Sequence, residues 1–267
     1  MTDNPSRRRA LARPRSLICA AALAVLGASG CTRDGEGSTP DRADGVRSAD
    51  SADGALGLPT RKVPPYRVAR VTNPGTIRGT VDLSGLRAPQ SACGAVAAPG
   101  AIVWLDDIRS GLDVAAERKL DRRLELSAAR CRLEPRLQLA LVGSTLNVHN
   151  EESVAHQVQL FRDGAEQPIY RIPFIFAGQV VPAHRPLTVP GVLEARSSQD
   201  PALRSIVVVV DHPYAAPVGA DGRFVIDSVP PGRYKLIAMS VNGVAEQMVE
   251  VPAGAEQTVS LRLAPTG

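Results

Sequence analysis

Aromatic side chains are scarce in this chain, with one Trp, four Tyr and four Phe among 267 residues. Stacking platforms for single-stranded nucleic acid need such faces over a basic surface, and sugar platforms usually need them too, so both classes start at a disadvantage. Only four His, four Cys and three Met are present. There is no Cys-x-x-Cys pair, His-Glu-x-x-His, Gly-x-Ser-x-Gly elbow, phosphate loop or dinucleotide fingerprint, which removes the usual enzymatic constellations. Adjacent Glu151 and Glu152 do not replace them, because neighbours on a strand face opposite ways; a solvated turn is the expectation. No apolar run approaches the roughly 20 residues of a membrane-spanning helix.

A lasting charge of one sign is missing as well. The formal net charge is +4 and the pI near 9.1, yet the first thirty residues hold Arg7, Arg8, Arg9, Arg13 and Arg15 against Asp3 alone. The rest of the chain is formally neutral, which leaves no electrostatic footprint for nucleic acid. The arginines form a positive n-region, Leu17 to Gly27 a short apolar stretch, and Ala28-Ser29-Gly30-Cys31 a cleavage-site pattern. This resembles a bacterial lipoprotein signal over residues 1–30, with Ala28 where Leu is usual. It implies lipidation of Cys31 and a place in the cell envelope, at the periplasm or outer membrane. Ser6 to Leu11 also fits a twin-arginine pattern loosely, so the export route stays open.

Cys19 leaves with such a signal and Cys31 takes the lipid, which leaves Cys93 and Cys131 as an even pair in an oxidising space. A bridge between them would contribute roughly 3 to 4 kcal/mol on the chain-entropy model. Residues 31–65 are Asp, Arg, Gly, Ser and Ala with a repeated Ser-Ala-Asp and few large apolar side chains, the composition of a disordered tether.

From Tyr66 onward the chain reads as short strands punctuated by Gly and Pro. Thr76 to Leu83 alternates, Ala101 to Leu105 is a short buried run, and Leu137 to Val142, Ser144 to Val148 and Val158 to Phe161 continue the series. Turns are expected at Gly143 and Asp163-Gly164. Ile206 to Val210, a continuous β-branched run, is expected to be central and buried on both faces. A helix is compatible with Val114 to Leu120.

The run Val142-Gly143-Ser144-Thr145-Leu146-Asn147-Val148-His149-Asn150-Glu151-Glu152-Ser153-Val154-Ala155-His156 resembles the first ligand strand of exported cupredoxin-like proteins of the plastocyanin-like and methylamine-utilisation type. The resemblance implies a Greek-key sandwich over residues 66–210, with His156 at the position of a copper ligand. In those relatives a Cys-x-x-His-Pro-x-Met cluster supplies the other ligands. Here the matching positions carry Ser197, Asp200 and Leu203, ahead of Ile206 to Val210 and Asp211-His212-Pro213-Tyr214. A copper site of this type needs thiolate, imidazoles and a weak axial thioether. The expectation is therefore no metal and no cofactor, with His156 and Asp200 as residual candidates that a stray His149 or His212 could join. Pro186 to Glu194 resembles the relatives' strand, tight turn and strand before the lost Cys ligand, and Cys131 to Pro135 resembles the context of a structural Cys. His184, between prolines, is expected at the surface.

Gly219-Ala220-Asp221-Gly222-Arg223-Phe224-Val225-Ile226-Asp227-Ser228-Val229-Pro230-Pro231-Gly232-Arg233-Tyr234-Lys235-Leu236 resembles a carboxypeptidase regulatory-like domain, a transthyretin-like sandwich often grouped with carbohydrate-binding-like folds. It implies a second, non-catalytic module over residues 205–265. Asp221-Gly222 is a hairpin turn, and Phe224, Ile226, Tyr234, Leu236 and Ala238 face a core. Met239 is expected to be core filler. Gly75 to Val81 resembles the first strand of the same domain type, so the division of residues 66–110 between the modules is open.

The whole reads as an all-β, non-catalytic envelope lipoprotein of two β-sandwich modules, acting in binding or scaffolding toward an envelope protein or glycan. The alternatives are a copper-binding or electron-transfer protein with a divergent site, and a carbohydrate-binding module.

Overall fold

The computed structural model describes residues 65–86, 100–114, 122–174, 176–200 and 203–266, apart from the side chains of residues 156 and 174. The expected signal of residues 1–30, Cys31, most of the expected tether, Cys93 and residues 115–120 of the expected helix lie outside this set. The described residues belong to one compact unit, Ala49–Gly267.

They are all-β. In chain order the strands are β1 Arg67–Val68, β2 Gly75–Asp82, β3 Ile102–Leu105, β4 Ser110–Gly111, β5 Arg123–Ala129, β6 Arg132–Glu134, β7 Leu137–Leu141, β8 Thr145–Asn150, β9 His156–Arg162 and β10 Pro168–Phe174. They continue with β11 Val180–Pro182, β12 Gly191–Ser197, β13 Arg204–Val210, β14 Ala215–Pro217, β15 Arg223–Val229, β16 Gly232–Ser240, β17 Gly243–Val251, β18 Glu256–Arg262 and β19 Ala264–Pro265.

The first sandwich stacks a five-stranded sheet, in the order β10-β9-β12-β13-β7, on a four-stranded sheet, β11-β8-β5-β6. Alternation explains the packing: Leu124, Leu126 and Ala128 of β5 and Leu146 and Val148 of β8 point inward to meet Val158, Leu160, Leu193, Ala195, Val207 and Val209. The β5–β6 hairpin turns on Arg130 and Cys131, at φ 52° and 57°, as a two-residue turn with two positive φ values requires.

The second sandwich stacks β14-β3-β16-β17-β19 on β15-β2-β18. β2 pairs antiparallel with β15 and parallel with β18, and β3 lies between β14 and β16. The strands of residues 75–105 thus pair with strands from residues 215–262, and the first sandwich is inserted between them in sequence.

Expected details recur. Gly222, at φ 78°, closes the turn before β15, and Phe224, Ile226, Leu236 and Ala238 are buried in the second core with Tyr234 against them. Pro186 to Pro190 differs from expectation: it forms no strand, and only β12 is regular there. Two prolines in five residues remove the donors that a ladder needs.

A third core joins the sandwiches. Ile102 and Trp104 of β3 and Ile237 and Met239 of β16 turn away from the second core and pack with Leu141, Val192, Ile206, Val208 and Val210. β3, β13 and β16 are apolar on both faces because each feeds two cores.

Candidate functional site

The segment joining β12 to β13 carries the positions where the resemblance places copper ligands. The Ser197 hydroxyl accepts hydrogen bonds from the Gln199 N–H at 3.2 Å and the Asp200 N–H at 3.3 Å, and it donates to the Gln199 side-chain carbonyl at 3.2 Å. Leu203 is buried in the first core, its N–H bonded to the Asp200 carbonyl and its carbonyl to the Ser197 N–H. The Gln199 side chain also accepts the Gln157 N–H at 2.8 Å, and the Gln157 carbonyl accepts the Ser198 N–H. Ser197, Asp200 and Leu203 therefore sit in one tight loop against the start of β9, where His156 begins the strand.

This loop does not fit copper. Its hydroxyl already serves the turn, Leu203 offers no donor atom, and a neutral oxygen in place of thiolate is a poor partner for Cu(I). Among the described residues no group of three His, Cys, Asp or Glu side chains is placed to hold a metal. The His156 side chain lies outside the described residues.

The other histidines are dispersed. His149 sits on the outer face of the four-stranded sheet, 2.5 Å from the Glu125 carboxylate, which also accepts from the Asn147 amide at 2.9 Å. His184 is exposed in its loop. His212 follows the end of β13 while Asp200 precedes its start, so a seven-residue strand of about 20 Å separates them. The structure does not bring His212 together with Asp200.

His212 is a buried residue, 4% exposed. Its Nδ1 accepts the Tyr214 N–H at 3.2 Å, and the ring forms a triangle with Tyr66 and Tyr214, its centroid 6.0 Å from each and theirs 6.5 Å apart. Burial pushes its pKa down to about 4, against the opposing pull of Asp211 and nearby backbone carbonyls; the ring is neutral at neutral pH. Tyr66 donates to the Leu112 carbonyl at 2.8 Å, and the Leu112 N–H donates to the Tyr214 oxygen at 2.8 Å. Burial, followed by the bond to Tyr214, raises the Tyr66 pKa. The backbone passes so close at Gly111 that a Cβ there would lie 2.2 Å from the Tyr214 oxygen. The cluster fastens the short β1–β4 pair to the second core.

Asn150 has a role that the sequence did not disclose. Fully buried, it donates to the Val154 and Phe176 carbonyls at 3.0 and 3.2 Å and accepts the Glu152 N–H at 3.1 Å. It ties two loops to the end of β8. Glu152 in turn accepts the Cys131 N–H at 2.5 Å, so it anchors the β5–β6 turn and is more than a solvated turn residue. A short polar side chain at a strand end was the available signal. Cys131 is held in a disulfide; Cys93, its expected partner, lies outside the described residues. Met239 is buried in the third core, 1% exposed.

A surface cleft of about 350 Å³ lies beside β10 and the Pro186 loop, between Ile169, Tyr170, Arg185 and Val189. The Tyr170 hydroxyl bonds there to the Arg185 and Pro186 carbonyls, each at 3.1 Å, which fixes one wall.

No protein-family model matches this chain, and no curated protein does. Among solved structures it is similar to a reduced Cu(I) form of an amicyanin variant, at 20% identity and a TM-score of 0.28 over 35% of this chain and 87% of that one. A purple cupredoxin from Nitrosopumilus maritimus is 18% identical, with a TM-score of 0.28 over 33% of this chain and 99% of that one. A copper-containing nitrite reductase from Thermus scotoductus SA-01 is 16% identical, with a TM-score of 0.29 over 48% of this chain and 28% of that one. These neighbours include cupredoxins, and at such TM-scores the likeness carries no argument about activity.

Proposed function

We propose that this chain is a non-catalytic binding or scaffolding module of the cell envelope. It is exported by the signal of residues 1–30, held by a lipid on Cys31, and built around a cupredoxin-like sandwich whose site has lost its metal. The observation that carries this reading is the Ser197–Leu203 loop. The Ser197 hydroxyl, at the position of the thiolate, is spent on the turn itself, and Leu203, at the position of the thioether, is apolar and buried. A bridge from Cys131 to Cys93, and a carboxypeptidase regulatory-like character for the second sandwich, belong to the same proposal.

What supports a binding role is the way the surface is held. Loops at the Asn150 end and the Tyr66–Tyr214 cluster are tied by buried hydrogen bonds, which presents a preorganised exterior and limits the ordering cost of association. The experiment is metabolic labelling with a fatty-acid analogue followed by envelope fractionation of the full-length chain. Label and membrane association are expected and should disappear in Cys31→Ser. An unlabelled, unanchored wild-type chain would overturn the envelope assignment.

A further inference from the structure

The outer face of the five-stranded sheet is divided in two. One part, containing Val192, Ile206, Val208 and Val210, is covered by the third core. The other part carries arginines in direct cross-strand register. Arg171 of β10 faces Gln159 of β9, Gln159 faces Arg196 of β12, and Arg196 faces Arg204 of β13. Directly paired residues share a face, so these four side chains form a ladder across four adjacent strands, about 14 Å wide at the usual strand spacing. Arg136, just before β7, lies close enough to Arg204 to feel its charge. Its pKa is lowered by burial and then by the neighbouring charges of Arg204 and Arg132.

Few carboxylates balance these charges. Glu194 lies 2.5 Å from Arg204 and 4.0 Å from Arg196, and is itself only 12% exposed; Glu134 lies 3.5 Å from Arg132. Arg171 is exposed, and the Arg196 and Arg204 side chains are 43% and 31% exposed. Like charges in direct cross-strand opposition cost stability, and arginine does not escape by deprotonating. Arg196 is held out over the Phe161 ring, 4.0 Å from its centroid, in a fixed pose. On a chain that is formally neutral beyond residue 30, so local a concentration of guanidinium groups suits an anionic ligand.

We propose that the ladder Arg171–Gln159–Arg196–Arg204 binds an acidic polysaccharide, a chain of sugars bearing carboxylates that lies across the strands. The choice of ligand follows from the side chains. Guanidinium forks match planar carboxylates with two parallel hydrogen bonds. Gln157 and Gln159, side by side with a 3.0 Å bond between their amides, add neutral donors and acceptors among the arginines. Those amides can both donate to and accept from sugar hydroxyls, whereas a polyphosphate, which has only acceptors, would use their N–H groups alone. This names a partner class for the envelope role proposed above and rests on that reading.

The test is calorimetric titration of the full chain with an oligogalacturonate, its methyl ester and inorganic polyphosphate, at low and at raised salt. The acid form is expected to bind, more weakly as salt rises, with the ester silent and polyphosphate weaker. Arg171→Gln, at an exposed edge site, and Arg196→Gln should each weaken binding about tenfold, in line with the loss of a charge-assisted bond. Arg171→Gln should leave the thermal midpoint unchanged, which separates lost binding from lost fold. Absence of binding by the acid form, equal binding by polyphosphate, or an affinity unmoved by Arg171→Gln would each overturn the proposal. Stoichiometric copper binding by the same preparation would instead overturn the metal-free reading, so the two failures are distinguishable.

Discussion

Ser197 spends its hydroxyl on the loop that contains it, and this single use decides the chemistry of the neighbourhood. Ser197→Ala should cost about 1 kcal/mol of stability by freeing two N–H groups at a partly exposed turn, read by denaturant unfolding. Restoring the donor set should do the opposite for metal: S197C, D200H and L203M together should produce a copper-dependent visible absorption that the wild type lacks. His212 sets a pH dependence of the fold. With a folded pKa of about 4 against about 6.5 unfolded, the unfolded chain takes up the proton first as pH falls. The stability is therefore complete above about pH 6.5 and drains as the pH falls below it toward the folded value. Unfolding at about pH 7 and about pH 4 should show this loss, and His212→Gln should flatten it.

At the scale of elements, the β5–β6 turn holds two non-glycine residues at positive φ, and Arg130 is exposed there. Arg130→Asn should stabilise the protein by up to about 1 kcal/mol, because Asn tolerates the left-handed region better; a higher denaturation midpoint is the readout. Much of the strand pattern was legible. β2, β3, β7, β8, β9 and β13 follow from alternation or short apolar runs, and the turns at Gly143, Gly164 and Gly222 follow from glycine at positive φ. β5 went unread although Leu124, Leu126 and Ala128 alternate, because charged residues and a closing Ala pair blur its apolar face. The strand expected within Pro186 to Pro190 reflects the opposite error, family pattern placed above proline chemistry. In the candidate site the loop positions 197, 200 and 203 were legible through motif spacing. The burial of His212 and the ties of Asn150 were not, since both depend on which strands lie side by side. The arginine ladder is a product of register in the same way: its members are scattered over residues 159–204 and meet only through pairing.

For the molecule as a whole, the governing feature is an inserted sandwich joined to its host by a shared apolar core. Trp104 is central to that junction, 6% exposed and packed on the side away from the second core. Trp104→Ala should cost about 3 to 5 kcal/mol, and calorimetry should show one cooperative transition in the wild type separating into two in the variant. The coupling also means that a ligand on the outer face of the five-stranded sheet acts on the same layer that carries the junction. The central claim is that a cupredoxin-like frame persists here without its metal. It is tested most directly by equilibrating the full-length chain with Cu(II), removing free ion, and measuring bound copper and visible absorption beside His156→Ala. The account predicts no stoichiometric copper in either protein, whereas one copper per chain that is lost in His156→Ala would contradict it.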